Sequence, residues 1–198
     1  MADENVIKVI LVGEAGTGKT SIINALTGIK FNSNEITSTA AEFSDKTITV
    51  KGKDYNITLW DTAGQERFRS VTKIFIKEAK IVIFVYSITD KKSFEQVDFW
   101  HQTVKNILGD DPILGLAGNK KDLFLKQEEV TEEEGEKKAQ ELGAIFKLTS
   151  AKTKVGINEF IEQLVEEYAK KNGDIFDGSK GSKLKSGSDK EKKKSKCC

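Results

Sequence analysis

The sequence contains few of the residues that build disulfides, zinc sites and histidine-based catalytic centres. Its 198 residues include two cysteines and one histidine. Cys197 and Cys198 are adjacent at the end of the chain, so they are poorly placed for a structural disulfide and too few to hold a structural zinc ion alone. His101 lies on a predicted helix without an evident partner, so we expect a packing or surface role for it rather than a catalytic one. Its neighbour Trp100 is expected to pack the same helix.

Long hydrophobic segments are also missing. No apolar stretch approaches the roughly 20 residues that cross a bilayer. Asp3 and Glu4 precede an apolar run that fits a first strand, which disfavours a signal peptide and leads us to expect synthesis in the cytosol. The composition, 37% hydrophobic and 32% charged, fits one domain of ordinary size followed by a short tail.

Alternating apolar segments predict an α/β fold. The second and third predicted strands should form an antiparallel hairpin at the sheet edge, and the continuous apolar run of the fourth is typical of a strand buried on both faces. We therefore predict a six-stranded, mostly parallel, doubly wound sheet with one antiparallel edge strand and helices on both faces. The predicted strands are 6–12, 42–50, 55–60, 81–86, 113–117 and 144–148, and the predicted helices are 19–27, 92–108, 132–142 and 157–170.

A glycine-rich segment, GEAGTGKT at 13–20, follows the first predicted strand and opens the first predicted helix. It fits the phosphate-loop pattern G-x-x-x-x-G-K-[ST], and its context disfavours a chance glycine-rich turn. Its backbone N–H groups can surround phosphate oxygens, Lys19 can reach the β and γ phosphates, and the Thr20 hydroxyl can ligate Mg²⁺. The predicted phosphate-binding residues are Gly13, Glu14, Ala15, Gly16, Thr17, Gly18, Lys19, Thr20 and Ser21.

The base is indicated by NKKD at 119–122, which follows the fifth predicted strand. The carboxyl ends of strands are where open α/β sheets bind ligands. Guanine presents N1–H and the 2-amino group side by side, so the Asp122 carboxylate can accept both, whereas adenine offers no such pair. Taken alone the string is an ordinary solvated loop. Its place after a strand and before Ser-Ala-Lys at 150–152 predicts a guanine site and disfavours an ATPase or nucleotide kinase.

The segment WDTAGQERF at 60–68 closes the third predicted strand between these two motifs. The Asp61 carboxylate can hold a water ligand of Mg²⁺, and Gly64 leaves its N–H free to meet the γ-phosphate. Gln65 can orient the attacking water, since phosphoryl transfer depends on positioning and charge stabilisation. A simple β-turn is disfavoured because all three motifs occur in the order that GTP hydrolysis needs.

Together these segments resemble a small GTPase of the Ras superfamily, and specifically of the Rab family. The likeness covers roughly residues 5–169 and includes WDTAGQERFRSVT at 60–72, FVYSIT at 84–89 and the terminal cysteine pair. It implies a P-loop NTPase G domain, over residues 1–171, that binds GTP or GDP with Mg²⁺, hydrolyses GTP and acts as a membrane-anchored switch in vesicle trafficking. The implied partners are a guanine nucleotide exchange factor, a GTPase-activating protein, a GDP dissociation inhibitor or escort protein, and effectors. No nucleic-acid partner is expected.

The resemblance also assigns roles to single residues. Phe31 should lie against the guanine base, and Phe43, Trp60 and Phe75 match the aromatic triad that Rab proteins present to effectors. The implied base-site residues are Asn119, Lys120, Asp122, Leu123, Ser150, Ala151 and Lys152, and the implied Mg²⁺ ligands are Thr20, Ser38 and Asp61.

Three departures from the family pattern stand out. Counting back from Phe43 places Ser38 where the family has a metal-ligating threonine, although Thr37 and Thr39 flank it and a one-residue slip stays open. Ala15 stands where Ras-like members have glycine beside the γ-phosphate, so we expect slow intrinsic hydrolysis. IFIKEA at 74–79 replaces the usual Tyr-Tyr-Arg-Gly-Ala, which leaves partner choice open.

Arginines are scarce as well. Arg67 and Arg69 are the two in the chain, and both follow Gln65. We expect them to make switch or partner contacts, so an arginine finger for fast turnover should come from a partner.

The composition changes after Lys171. Residues 180–198 contain eight lysines, one aspartate and one glutamate, a net charge of +6, which leaves −5 for the rest of a chain whose net charge is +1. We expect residues 172–198 to be disordered.

The ending is not C-a-a-X, but its cysteine pair resembles the Rab terminus that carries two geranylgeranyl groups. Cys197 and Cys198 are therefore the predicted lipidation sites, and the predicted location is the cytoplasmic face of an intracellular membrane, with a cytosolic pool. One alternative stays open, a nucleotide-bound membrane scaffold with negligible hydrolysis.

Overall fold

The computed structural model describes residues 6–31, 42–62 and 74–174, except for the side chain of Lys126. This part of the chain contains both strands and helices. The strands are β1 Ile7–Val12, β2 Glu42–Val50, β3 Lys53–Asp61, β4 Ile81–Ser87, β5 Ile113–Asn119 and β6 Ile145–Leu148. The helices are α1 Lys19–Thr27, α2 Lys91–Glu95, α3 Val97–Leu108, α4 Phe124–Gln127, α5 Glu132–Leu142 and α6 Ile157–Lys171, with a 3₁₀ turn at Lys121–Leu123.

The described strands form one six-stranded sheet in the order β2-β3-β1-β4-β5-β6. Only the β2–β3 pair in this sheet is antiparallel, and it lies at the edge. Every residue of β4 is buried, as expected for a central strand covered on both faces. The predicted doubly wound fold is confirmed.

Two hydrophobic clusters cover the two faces of the sheet. One joins α1 and α6 to the odd-numbered residues of β1, including Val9 and Leu11. The other joins α3 and α5 to the even-numbered residues, including Ile10 and Val12. Alternate residues of a strand point to opposite faces, so the apolar run of β1 serves both cores.

The β2–β3 hairpin is tighter than predicted. Lys51 and Gly52 form a two-residue turn with φ of 50° and 82°. Positive φ at both central positions is what a two-residue turn with the twist of the flanking strands requires. The third strand therefore begins at Lys53, two residues before the predicted start.

The single predicted helix at 92–108 is two helices in the structure. The Asp90 side chain caps the first by accepting from the N–H groups of Lys92 and Ser93, so α2 begins at Lys91. Gln96 separates α2 from α3 but keeps a helical conformation, with φ −73° and ψ −9°. The two helices therefore run on almost continuously.

The segment that follows α6 is hydrogen-bonded to the β2–β3 hairpin. Asp174 accepts hydrogen bonds from Lys53 Nζ at 2.6 Å and from the Tyr55 hydroxyl at 2.7 Å. The Lys53 ammonium is the largest cause that lowers the pKa of Asp174. Asp174 lies three residues beyond residue 171, the predicted end of the domain. That domain boundary stays a prediction.

Among the residues that the structure describes, no helix is long and apolar enough to cross a membrane.

Candidate nucleotide-binding site

The predicted phosphate loop is held at both ends and open in its middle. Gly13, with φ 149°, lies so close to β4 that a Cβ there would meet the Val85 carbonyl oxygen at 2.1 Å. Gly18 has φ 94°, and a Cβ there would lie 2.4 Å from Asn119 Nδ2. Both positions therefore need glycine, for conformation and for space. The residues at 15–16 are exposed, so the middle of the loop faces solvent.

Lys19 lies beneath this loop. Its side chain is 5% exposed, and its Nζ donates to the carbonyl oxygens of Gly13 and Glu14, each at 3.0 Å. Burial lowers the pKa of Lys19 to about 8, while the charges of Asp61 and Glu14 act in the opposite direction. The ammonium is thus poorly solvated, so an anionic phosphate oxygen would be a favourable partner for it.

The amino end of α1 opens directly from the loop. Gly18 is its N-cap residue, and among the described residues no side chain accepts a hydrogen bond at this cap. Because glycine has no side chain to cap the helix, Gly18 itself does not block this end, and the helix dipole favours an anion there.

Thr20 and Asp61 bring two oxygen donors together beside the loop. Thr20 Oγ1 donates to Asp61 Oδ2 at 2.6 Å, and Asp61 is 4% exposed. Asp61 is paired in register with Leu11 on β1, and the next residue, Thr62, donates from its hydroxyl to the Leu11 carbonyl oxygen at 2.7 Å. These contacts fix the carboxyl end of β3 against β1, next to the start of α1.

This pair fits a magnesium ion. A buried carboxylate and a hydroxyl are hard oxygen ligands, and Mg²⁺ is usually bound by one or two carboxylates together with substrate phosphates and waters. Within the described ranges, no group of three His, Cys, Asp or Glu side chains is placed to hold a metal by itself. A site that is completed by a nucleotide is consistent with both observations.

Asn119 joins the predicted base site to the phosphate loop. It is 1% exposed, and its Nδ2 donates to the Thr17 carbonyl oxygen at 2.9 Å. Its Oδ1 accepts from the Ala151 N–H at 3.2 Å and from the Thr149 hydroxyl at 3.3 Å. One amide therefore links the carboxyl ends of β5 and β6 to the loop at the end of β1.

Asp122 lies at the open side of the same edge. Its Oδ1 accepts from the Ser150 hydroxyl at 2.6 Å, and the Ser150 hydroxyl in turn accepts from the Thr153 N–H at 3.1 Å. Asp122 is exposed while Ser150 is buried. The buried serine therefore orients a carboxylate that remains accessible to a base.

The chain turns at Lys120, which lies between Asn119 and Asp122. It has φ 70°, a left-handed conformation that is uncommon for a residue with a Cβ. The turn leads directly into the 3₁₀ turn at Lys121–Leu123, which carries Asp122. Such local strain is typical of functional sites.

The remaining predicted site residues are not all within the described part of the chain. Phe31 follows α1 and is 42% exposed, and its place against the guanine base stays a prediction. Lys152 is exposed beside the buried Ala151. The predictions for Ser38, Gly64, Gln65, Arg67, Arg69, Cys197 and Cys198 lie outside the described residues.

The predicted effector triad is brought together. The rings of Phe43 and Trp60 are 5.5 Å apart between centroids, and those of Trp60 and Phe75 are 5.6 Å apart. Phe43 is 64% exposed, and Lys8 Nζ lies 4.6 Å from the centroid of the Trp60 ring. The three rings form one row across the edge of the sheet.

The role of Trp100 extends beyond the packing that the sequence indicates. It is buried in α3, as expected, but its indole Nε1 also donates to Glu14 Oε1 at 3.1 Å. The contact joins residues 86 positions apart in the sequence, so no local pattern points to it. His101 beside it packs edge-on against Phe84, with 5.9 Å between ring centroids, in line with the expected packing role.

Comparison with known proteins decides the family. A sequence model of the Ras family matches residues 8–170. The chain belongs to the Ras family.

Relatives of this Ras-family protein carry Rab-type names. The Ras-related protein SEC4 of Saccharomyces cerevisiae is 35% identical over 201 residues, covering 98% of this chain and 92% of its own. Human Ras-related protein Rab-21 is 39% identical over 181 residues, covering 87% and 80%. Ras-related protein RabC of Dictyostelium discoideum is 39% identical over 169 residues, covering 84% and 86%.

The chain is thus a Rab-like small GTPase of vesicle trafficking, which binds guanine nucleotides, hydrolyses GTP and associates with intracellular membranes. These comparisons give no support to the alternative of a scaffold with negligible hydrolysis.

Proposed function

We propose that the described site carries out the nucleotide cycle with the residues singled out above. The phosphate loop at 13–20 would bind the α, β and γ phosphates, and the 119–123 and 150–152 segments would bind guanine. The observation that carries the proposal is the Asn119 amide, since its 2.9 Å hydrogen bond to the Thr17 carbonyl oxygen joins base site and phosphate site.

Thr20 and Asp61, with Ser38, would hold Mg²⁺. A bound Mg²⁺ ion would neutralise charge that develops on the phosphate oxygens during transfer. Thr20 would contribute its hydroxyl oxygen directly, while the Asp61 carboxylate would accept a hydrogen bond from a water ligand. The support for this assignment is the 2.6 Å contact between the two side chains at a buried position.

Gln65 would position the attacking water. The water oxygen forms a bond to the γ-phosphorus while the bond to the bridging oxygen breaks, which yields GDP and phosphate. Lys19 would stabilise the charge on the departing diphosphate, since its buried ammonium lies beneath the loop. GTP would order the segments around Ser38 and Gly64 beside the aromatic row of Phe43, Trp60 and Phe75, and hydrolysis would release them.

Single-turnover phosphate release from protein loaded with GTP tests this proposal. In the wild type we expect slow release that needs Mg²⁺ and stops when EDTA is added. Gln65→Leu should abolish release while the affinity for GTP stays within about twofold, because the glutamine acts on the water rather than on binding. GTP competing no better than ATP for the site would contradict the base assignment, and equal release by wild type and Gln65→Leu would contradict the role of Gln65.

The individual protein partners and the cellular location are inferred from the resemblance to Rab proteins. We infer that an exchange factor, a GTPase-activating protein, a GDP dissociation inhibitor or escort protein, and effectors act on this chain. Prenyl groups on Cys197 and Cys198, assisted by the lysine-rich tail at 172–198, would hold it on the cytoplasmic face of a membrane. These inferences are supported by the similarity to Rab-type relatives, whose alignments cover most of the chain.

A further inference from the structure

Trp100 makes a polar contact with the phosphate loop from the far side of the sheet. Its indole Nε1 donates to Glu14 Oε1 at 3.1 Å. The ring is 2% exposed and belongs to the cluster that packs α3 against β4, so its position is fixed by the core. A loop residue is therefore tied to a buried side chain of the core.

Glu14 in turn organises the first half of the loop. Its carbonyl oxygen accepts from the Thr17 hydroxyl at 2.9 Å and from Lys19 Nζ at 3.0 Å. The backbone at Glu14 thus sets both the curvature of the loop and the position of the buried ammonium. A side chain held by Trp100 keeps this backbone in place.

The two ends of the loop are held by different elements. Asn119 holds the last part through the Thr17 carbonyl oxygen, while the first part rests on β4 at Gly13 and on α3 through Glu14. A Cβ at Gly16 would have no neighbour within 4 Å among the described residues, so the middle gives the loop no comparable packing support. The first part therefore has two supports, the packing of Gly13 on β4 and the contact between Glu14 and Trp100.

We propose that Trp100 is a positioning residue for nucleotide binding, which holds the first half of the phosphate loop through Glu14 and so slows the release of nucleotide. This inference rests on the proposed function of the loop as the phosphate site. A hydrogen bond to a carboxylate is stronger than one between neutral groups, so losing it should have a measurable effect on the bound state.

A double-mutant cycle on the release of fluorescently labelled GDP, in the presence of Mg²⁺, tests the proposal. We expect Trp100→Phe and Glu14→Ala each to speed release by about five- to tenfold, which corresponds to the partial loss of one charge-assisted hydrogen bond. The double variant should release GDP no faster than the faster single variant, because both changes remove the same contact. Unchanged release in the single variants, or effects that multiply in the double variant, would overturn the proposal.

A conservative variant and a spectroscopic signal separate positioning from mere packing. Glu14→Gln keeps an oxygen acceptor, so its release rate should fall between those of wild type and Glu14→Ala. The chain has two tryptophans, and Trp100→Phe identifies the indole N–H resonance of Trp100 by its loss. That resonance should shift in Glu14→Gln, and an unmoved resonance would contradict the contact.

Two further variants serve as controls. Tyr86→Phe removes a buried hydroxyl of the same cluster that lies beside Gly118 and Gly135, so its release rate should equal that of wild type. Faster release by Tyr86→Phe would show that any disturbance of the cluster has this effect and would overturn the specific role of Trp100. Lys19→Ala should lose GDP binding; if it binds GDP like wild type, the proposed phosphate site fails, and this result is distinguishable from a failure of the Trp100 inference alone.

Discussion

Asn119 links the carboxyl ends of β5 and β6 to the phosphate loop through three buried hydrogen bonds, so its replacement should affect both the stability of the fold and the binding of nucleotide. We predict that Asn119→Ala lowers the free energy of unfolding by about 2–3 kcal/mol, because three buried hydrogen bonds lose their partner. The affinity for GDP should fall as well, since the Thr17 carbonyl oxygen loses its donor. Urea denaturation measures the first effect, and titration with GDP measures the second.

Asn56→Ala is the matched control for this prediction. Asn56 is exposed on β3 and accepts one hydrogen bond, from the Thr47 hydroxyl at 3.0 Å. Its replacement should change the free energy of unfolding by no more than about 0.5 kcal/mol. A loss of GDP affinity in Asn119→Ala with an unchanged free energy of unfolding would show that the buried hydrogen bonds do not stabilise the fold.

At the residue scale, sequence reasoning finds groups whose chemistry is tied to a short motif. Lys19, Thr20 and Asp61 are predicted because phosphate and Mg²⁺ need those residue types at those positions, and the structure places Thr20 in contact with Asp61 and Lys19 within electrostatic reach of Asp61. Trp100 could not be identified as a loop contact, since its partner Glu14 lies 86 positions away and a buried aromatic on a helix is most often packing. The contact arises because α3 packs against β4, which is the neighbour of β1 in the sheet.

At the scale of single elements, α5 depends on a glycine where helices usually favour other residues. A Cβ at Gly135 would lie 2.5 Å from the Tyr86 hydroxyl and 2.6 Å from the Phe146 ring. Gly135→Ala should therefore lower the free energy of unfolding by about 1–3 kcal/mol through overpacking. This loss should outweigh the gain of about 1 kcal/mol that alanine normally gives inside a helix. Thermal or urea denaturation of the purified protein measures the balance.

Two companion variants check the cause. Combining Gly135→Ala with Tyr86→Phe removes the nearest atom, so part of the lost stability should return. Glu136→Ala, at the adjacent exposed position of the same helix, should stay within about 0.5 kcal/mol of wild type. A Gly135→Ala variant more stable than wild type would mean that α5 shifts easily away from the sheet.

The predicted elements differ from the observed ones mainly where tertiary pairing overrides local preference. The fifth strand is predicted to end at residue 117, where its apolar run ends; the next residues, glycine and asparagine, are poor strand formers. In the structure β5 continues to Asn119, since Gly118 and Asn119 stay in register with Tyr86 and Ser87 of β4. This extension is what delivers the Asn119 amide to the phosphate loop. The part of the strand that the sequence pattern missed therefore includes a predicted binding residue, Asn119.

At the scale of the whole molecule, charge is divided unevenly along the chain. The last 19 residues carry a net charge of +6 and end in the cysteine pair, while the rest carries −5. Asp174 ties the base of this tail to the hairpin through Lys53 and Tyr55. Asp174, the last described residue, is thus held at the hairpin on the edge of the sheet.

Lipid and charge should contribute unequally to membrane association. Burial of a prenyl chain is worth roughly 0.8 kcal/mol per CH₂, whereas a lysine near an anionic leaflet contributes on the order of 1 kcal/mol and is screened by salt. We therefore predict that replacing both cysteines, Cys197→Ser with Cys198→Ser, moves the protein from the membrane fraction to the soluble fraction of cells. Replacing Lys192, Lys193 and Lys194 by glutamine, with the cysteines kept, should leave most of the protein on membranes but make its retention more sensitive to salt. Both effects are measured by fractionating cells that express each variant and washing the membranes at low and at high salt. A serine variant that stays on membranes after the high-salt wash would contradict anchoring through the cysteines.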